Sequence, residues 1–98
     1  MTALRERKLI SPASTPSLPK HVRIQFDPVR QAYAVLSPER IFWPNEISLD
    51  ILRRCDGRST VSAIIADLAA EYDAPEDEVT GDVTAFLQEW SDRLLVRP

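Results

Sequence analysis

Apolar residues alternate with polar ones in the strand-like KHVRIQF and recur at every third or fourth position from Ile47 onward, so the chain changes its backbone period at Asn45. In KHVRIQF, Val22, Ile24 and Phe26 alternate with His21, Arg23 and Gln25, the pattern of a half-buried strand. Asp27-Pro28 supplies a turn, because proline presets one turn dihedral and aspartate caps the backbone beside it. AYAVL then makes a second strand and closes a hairpin. A third, shorter strand is expected from Arg40 to Trp43, ended by Pro44, which has no amide proton to extend a ladder.

Beyond the switch, Asn45 suits a helix N-cap, with Glu46 in the first turn where a negative charge favours the helix dipole. Ile47, Ile51, Leu52 and Cys55 fall on one side, and Gly57 is expected to supply a left-handed stop. Ser59-Thr60 caps a second helix with the inner stripe Val61, Ile64, Ile65, Leu68 and Tyr72. Pro75 opens a third, whose stripe is Val79, Val83, Phe86, Leu87, Trp90 and Leu94. The expected fold is α+β, a three-stranded antiparallel sheet followed by three helices, in the outline of a winged helix-turn-helix.

The 98 residues make room for one domain. Residues 1–19 hold Pro12, Pro16 and Pro19 in a Ser/Thr-rich setting and are expected to form a flexible segment or linker, with the domain at 20–98. No apolar run follows Arg5, Arg7 and Lys8, as a secretion signal requires, and no stretch reaches the roughly 20 apolar residues that span a bilayer. A cytoplasmic location without membrane attachment is expected. Cys55 is the single cysteine, so no disulfide forms within the chain.

Catalytic and metal chemistry lacks its parts. His21 is the single histidine, Cys55 lies on an apolar helix stripe, and two glycines cannot build a phosphate-cradling loop. No catalytic residue, metal or cofactor is therefore expected, which leaves a binding module. A DNA-binding winged-helix regulator is the alternative, and charge opposes it. Residues 1–30 carry six Lys/Arg and two Asp/Glu, whereas residues 31–98 carry six and thirteen. From Asp73 to Asp92 there are seven acidic side chains and no basic one, the reverse of what phosphate neutralisation demands.

FDPVR at 26–30, LSPER at 36–40, ILRRCDGRST at 51–60 and DVTAFLQEWSDRLL at 82–95 resemble the PqqD family of pyrroloquinoline quinone (PQQ) biosynthesis, over residues 18–96. That resemblance implies a peptide chaperone related to the leader-peptide recognition elements of ribosomally made peptide natural products. It implies two partners: the precursor peptide PqqA, and the radical S-adenosylmethionine enzyme PqqE, which cross-links a glutamate and a tyrosine in the peptide and holds the iron-sulfur clusters. Fusion to another pathway enzyme, PqqC, also occurs in the family.

The resemblance further implies that the precursor pairs along the third strand, over a groove shared with the third helix. The residues this places in the site are Arg40, Ile41, Phe42, Trp43, Val79, Val83, Phe86, Leu87 and Trp90. Alternation puts Ile41 with Trp43 on one face and Arg40 with Phe42 on the other, and leaves open which pair closes the core. Phe42, Trp43 and Trp90 are expected in the groove, since aromatics anchor peptides, and Val83 and Leu87 in the core. Asp56, Gly57 and Thr60 are read as a helix stop and the next cap, and Asp27 and Arg30 as hairpin residues. Gly81, costly in a helix interior, is expected where another backbone approaches closely.

Overall fold

A computed structural model describes residues 7–98. Three strands, β1 (Arg23–Asp27), β2 (Ala32–Leu36) and β3 (Ile41–Phe42), are followed by three helices, α1 (Glu46–Arg53), α2 (Val61–Glu71) and α3 (Glu76–Asp92). The sheet is antiparallel in the order β1-β2-β3, so β3 is an edge strand, two residues long where four were expected. Ile24, Val35 and Phe42 stand in one cross-strand row and face the helices.

The two turns of the sheet and the starts of the first two helices are each held by a side chain that binds nearby backbone. The Asp27 carboxylate accepts from the amides of Val29 and Arg30 at 2.9 and 3.3 Å and bends the hairpin. Between β2 and β3 the Ser37 amide donates to the Arg40 carbonyl at 2.9 Å, while the Ser37 hydroxyl accepts from the Arg40 amide at 3.2 Å. Asn45 caps α1 by accepting from the Ser48 amide, and Thr60 caps α2 by accepting from that of Ala63.

The core is the meeting of three helix stripes with β2. Val35, Ile51, Leu52, Val61, Ile64, Leu68, Val83 and Leu87 are all at most 2% exposed. Three members of the expected stripes lie elsewhere. Ile47 is exposed on the first turn of α1, and Tyr72 is the C-cap of α2, its hydroxyl bound to the Asp50 carboxylate. Leu94 lies past the end of α3 with a left-handed φ of 64°, and this reversal returns the chain so that Leu95 and Val96 are buried instead. A stripe drawn from spacing alone runs on past the residue where the helix bends back.

Residues 7–19, expected as a flexible linker, are instead laid along the domain; residues 1–6 of that expectation fall outside the described residues. The amide of Ser17 donates to the Arg97 carbonyl and that of Arg97 to the Ser17 carbonyl, both at 2.8 Å. The carbonyls of Pro12 and Ser14 accept from the amides of Ser62 and Val61, which head α2 and have no partner within the helix. Pro16 is fully buried, and Ile10 and Leu18 pack against the core. Proline lacks an amide to satisfy, so a segment rich in it can dock by its carbonyls.

Gly57 does adopt a left-handed φ of 78°, but four residues past the end of α1, in the turn that receives Pro16. A Cβ there would meet that of Ser17 at 3.4 Å. Gly81, by contrast, has nothing within 4 Å of where its Cβ would stand, so no backbone approaches it.

Candidate functional site

Along β3 the structure decides which face is sealed. Phe42 turns inward, its ring 5.3 Å from that of Trp90, which stacks in turn on Phe86 at 5.1 Å. Ile41 and Trp43 point to the opposite side and are 60% and 43% exposed. The outer row Arg23, Leu36 and Ile41 is thus partly apolar, and Ala34 is 4% exposed on that same outward side.

The backbone of β3 alternates as well. Ser37 and Arg40 direct their polar groups at each other. Alternation along an antiparallel pair therefore turns those of Phe42 toward Val35, and those of Ile41 and Trp43 outward along the open edge. Pro38 and Pro44 bracket the strand and keep it short.

The expected site residues separate into two sets. Ile41, Phe42, Trp43, Val79 and Phe86 retain accessible surface, as does the exposed Arg40, and Phe86 lies beside Phe42 through their shared contact with Trp90. Val83 and Leu87 are 1% and 0% exposed and hold α3 against the core, so they present nothing to a ligand. Trp90, expected in the groove, is 7% exposed and forms the floor beneath Phe42 and Phe86. An indole of that size fills the gap between sheet and helix.

Arg30, read from the sequence as a hairpin residue, reaches over the Trp43 ring, its guanidinium carbon 4.6 Å from the centroid. This cation-π contact half-covers an exposed aromatic at the site. The pair is 13 positions apart and rests on no periodic signal, so only the folded hairpin reveals it. Arg53 covers Tyr33 likewise at 4.4 Å.

Other chemistry is quiet. Burial, with Asp56 nearby, pushes the Cys55 thiol up to about 12, which keeps it protonated and unreactive. Among the described residues no three His, Cys, Asp or Glu side chains gather as metal ligands. No helix among them is long and apolar enough to cross a membrane. Glu76, Asp77, Glu78 and Asp82 are exposed along the first half of α3, an unfavourable surface to lay in a DNA groove.

The family model for coenzyme PQQ synthesis protein D (PqqD) matches residues 32–96. The chain belongs to the PqqD family. A PqqA binding protein of Rhodopseudomonas palustris (strain BisB5) is 45% identical over 84 residues, 86% of this chain and 82% of its own length. The bifunctional coenzyme PQQ synthesis protein C/D of Methylorubrum extorquens is 37% identical over 82 residues, which cover 84% of this chain and 22% of that larger protein. The NMR structure of the PqqD truncation of Methylobacterium extorquens PqqCD, described as a functional and stand-alone recognition element for ribosomally synthesized and post-translationally modified peptides, superposes with a TM-score of 0.79. It shares 32% identity over 96% of this chain and 100% of that one. The α+β fold expected from the sequence, three strands then three helices, is thus that of PqqD recognition elements.

Proposed function

We propose that this chain is a peptide chaperone of PQQ biosynthesis, which binds PqqA by adding it as a fourth strand along residues 40–43 and presents it to PqqE. The observation that carries the reading is the open edge of β3, where the polar groups of Ile41 and Trp43 face outward beside an aromatic floor. An extended peptide can satisfy such groups without any rearrangement of the sheet. The names of the relatives, PqqA binding proteins, support the same ligand.

Magnitudes show why the floor is needed. Four edge hydrogen bonds at a net value of about 1 kcal/mol each fall well short of the roughly 8 kcal/mol of a micromolar complex. The remainder has to come from apolar area, which Phe42, Phe86, Val79 and Ile41 offer.

The test is Ile41→Pro, which removes one outward amide at a position where an edge strand tolerates proline. PqqA affinity by calorimetry is expected to fall at least about 10-fold, and the yield of PqqE cross-linking at limiting chaperone to fall with it. An unchanged affinity would rule out strand addition at this edge. Amide shifts on adding PqqA to the unaltered chain should concentrate in Ile41–Trp43 and α3; shifts confined to Arg53–Arg58 would sink the reading independently.

A further inference from the structure

Two concavities, of about 800 and 850 Å³, adjoin at Lys20 and His21, which line both. The second runs across the outer side of the sheet at the end where β1 begins and β2 turns into β3. Lys20, Arg23 and Arg40 line it, against the single carboxylate of Glu39. The first adds Lys8 and Arg97, together with Arg7 and Asp92, which pair with each other at 2.8 Å. Among the described residues, none of Lys8, Lys20, Arg23, Arg40 and Arg97 has an acidic group within ion-pair distance. A chain with a net charge of -3 therefore gathers cations without an ion-pair partner among the described residues along one trough, while its third helix is lined with carboxylates.

The trough opens onto the candidate site. Arg40 and Ile41 belong both to its wall and to the free edge. Arg23, Leu36 and Ile41 form a cross-strand row over the outer face. A strand added along β3 would extend that row by one residue, and any chain running past Ile41 toward Arg40 would enter the trough. A paired segment this short carries little register information of its own, because a slip by two residues restores every hydrogen bond. Charges placed at one end would set it.

We propose that the trough is a subsite for acidic side chains of the bound peptide, held by Lys20, Arg23 and Arg40 where the peptide passes the Arg40 end of β3. The proposal rests on the strand-addition reading and names the chemistry of the segment flanking the paired residues. Carboxylates are attracted there and repelled by Glu76, Asp77, Glu78 and Asp82 on α3, so the field orients the peptide as well as holding it.

The experiment uses the full chain and PqqA, titrated at low and moderate salt. Two alterations accompany it: Lys20→Glu with Arg23→Glu in the chaperone, and a PqqA in which every Asp and Glu is replaced by Asn and Gln. Wild-type affinity is expected to fall about 10-fold between 50 and 300 mM NaCl. Each alteration should weaken binding by about 10-fold at low salt and flatten the salt dependence, while saturating peptide still shifts the β3 amides. If both alterations leave affinity and salt dependence unchanged with β3 still responding, the acidic subsite is wrong and strand addition stands. If Lys20 and Arg23 respond to PqqA while β3 does not, strand addition fails and the trough alone is the site. If duplex DNA shifts Lys20, Arg23 and Arg40 and PqqA does not, the trough serves nucleic acid and the proposal is overturned.

Discussion

The N-terminal arm and β3 are both short extended segments marked by prolines, yet one is paired to the fold from Pro12 to Ser17 and the other half vacant. From Pro12 to Ser17 the arm makes five backbone hydrogen bonds to α2, the turn at Gly57 and the C-terminal residues. On β3, Phe42 is paired to β2 while the groups of Ile41 and Trp43 face outward. The difference teaches that proline content does not separate a tail from a structural element. What separates them is whether the rest of the fold supplies partners for the polar groups that proline leaves.

The largest effect that would break this comparison is removal of the arm. A chain beginning at Leu18 loses those five bonds and the burial of Pro16, and is expected to unfold with roughly 3 kcal/mol less stability in urea. If stability is unchanged, the arm is a tail after all. By contrast Ile41→Pro, at the vacant edge, should shift stability by less than about 0.5 kcal/mol.

Next in size is a pair of glycine substitutions with opposite signs. Gly57→Ala places a side chain at a φ of 78° against Ser17 and should cost about 1–2 kcal/mol. Gly81→Ala, in open space within α3, should stabilise by up to about 1 kcal/mol. The comparison sharpens when Gly57→Ala is repeated without the arm, because the steric part of its cost should then disappear and the backbone part remain.

The smallest effect is on pH. Asp56 accepts from the amides of Ser59 and Arg58 at 2.8 Å and so organises the turn on which the arm rests. Those amide bonds lower its carboxyl below the usual 3.8. A depressed folded value stabilises above the ordinary carboxyl range and is lost as pH falls through the lowered value, so stability should drop slightly below about pH 4. Asp56→Asn should flatten that part of the profile; an unchanged profile would detach Asp56 from the turn's stability.

Much of the fold was legible in spacing. The switch at Pro44-Asn45, the caps Asn45 and Thr60, and the buried runs Ile51-Leu52, Val61 to Leu68, and Val83 to Trp90 stand where periodicity placed them. Ile47 and Leu94 were misplaced because a stripe does not show where a helix begins or ends. The candidate site was legible as a set of residues and not as a surface: alternation paired Ile41 with Trp43 without saying which side the helices would cover. Arg30 over Trp43 and the trough at Lys20 left no trace in any local pattern, since their members come from separate strands, turns and ends of the chain.

The sequence by itself determined the element order and the buried parts of the apolar stripes, because these follow from residue spacing along one chain, and its motifs carried the resemblance to the family. Only the tertiary structure decided that the arm is docked, that the half-buried Phe42 packs on the buried Trp90 and that the edge at Ile41 and Trp43 stays open. Those outcomes depend on which distant groups satisfy one another in space, and a one-dimensional pattern carries no record of that competition.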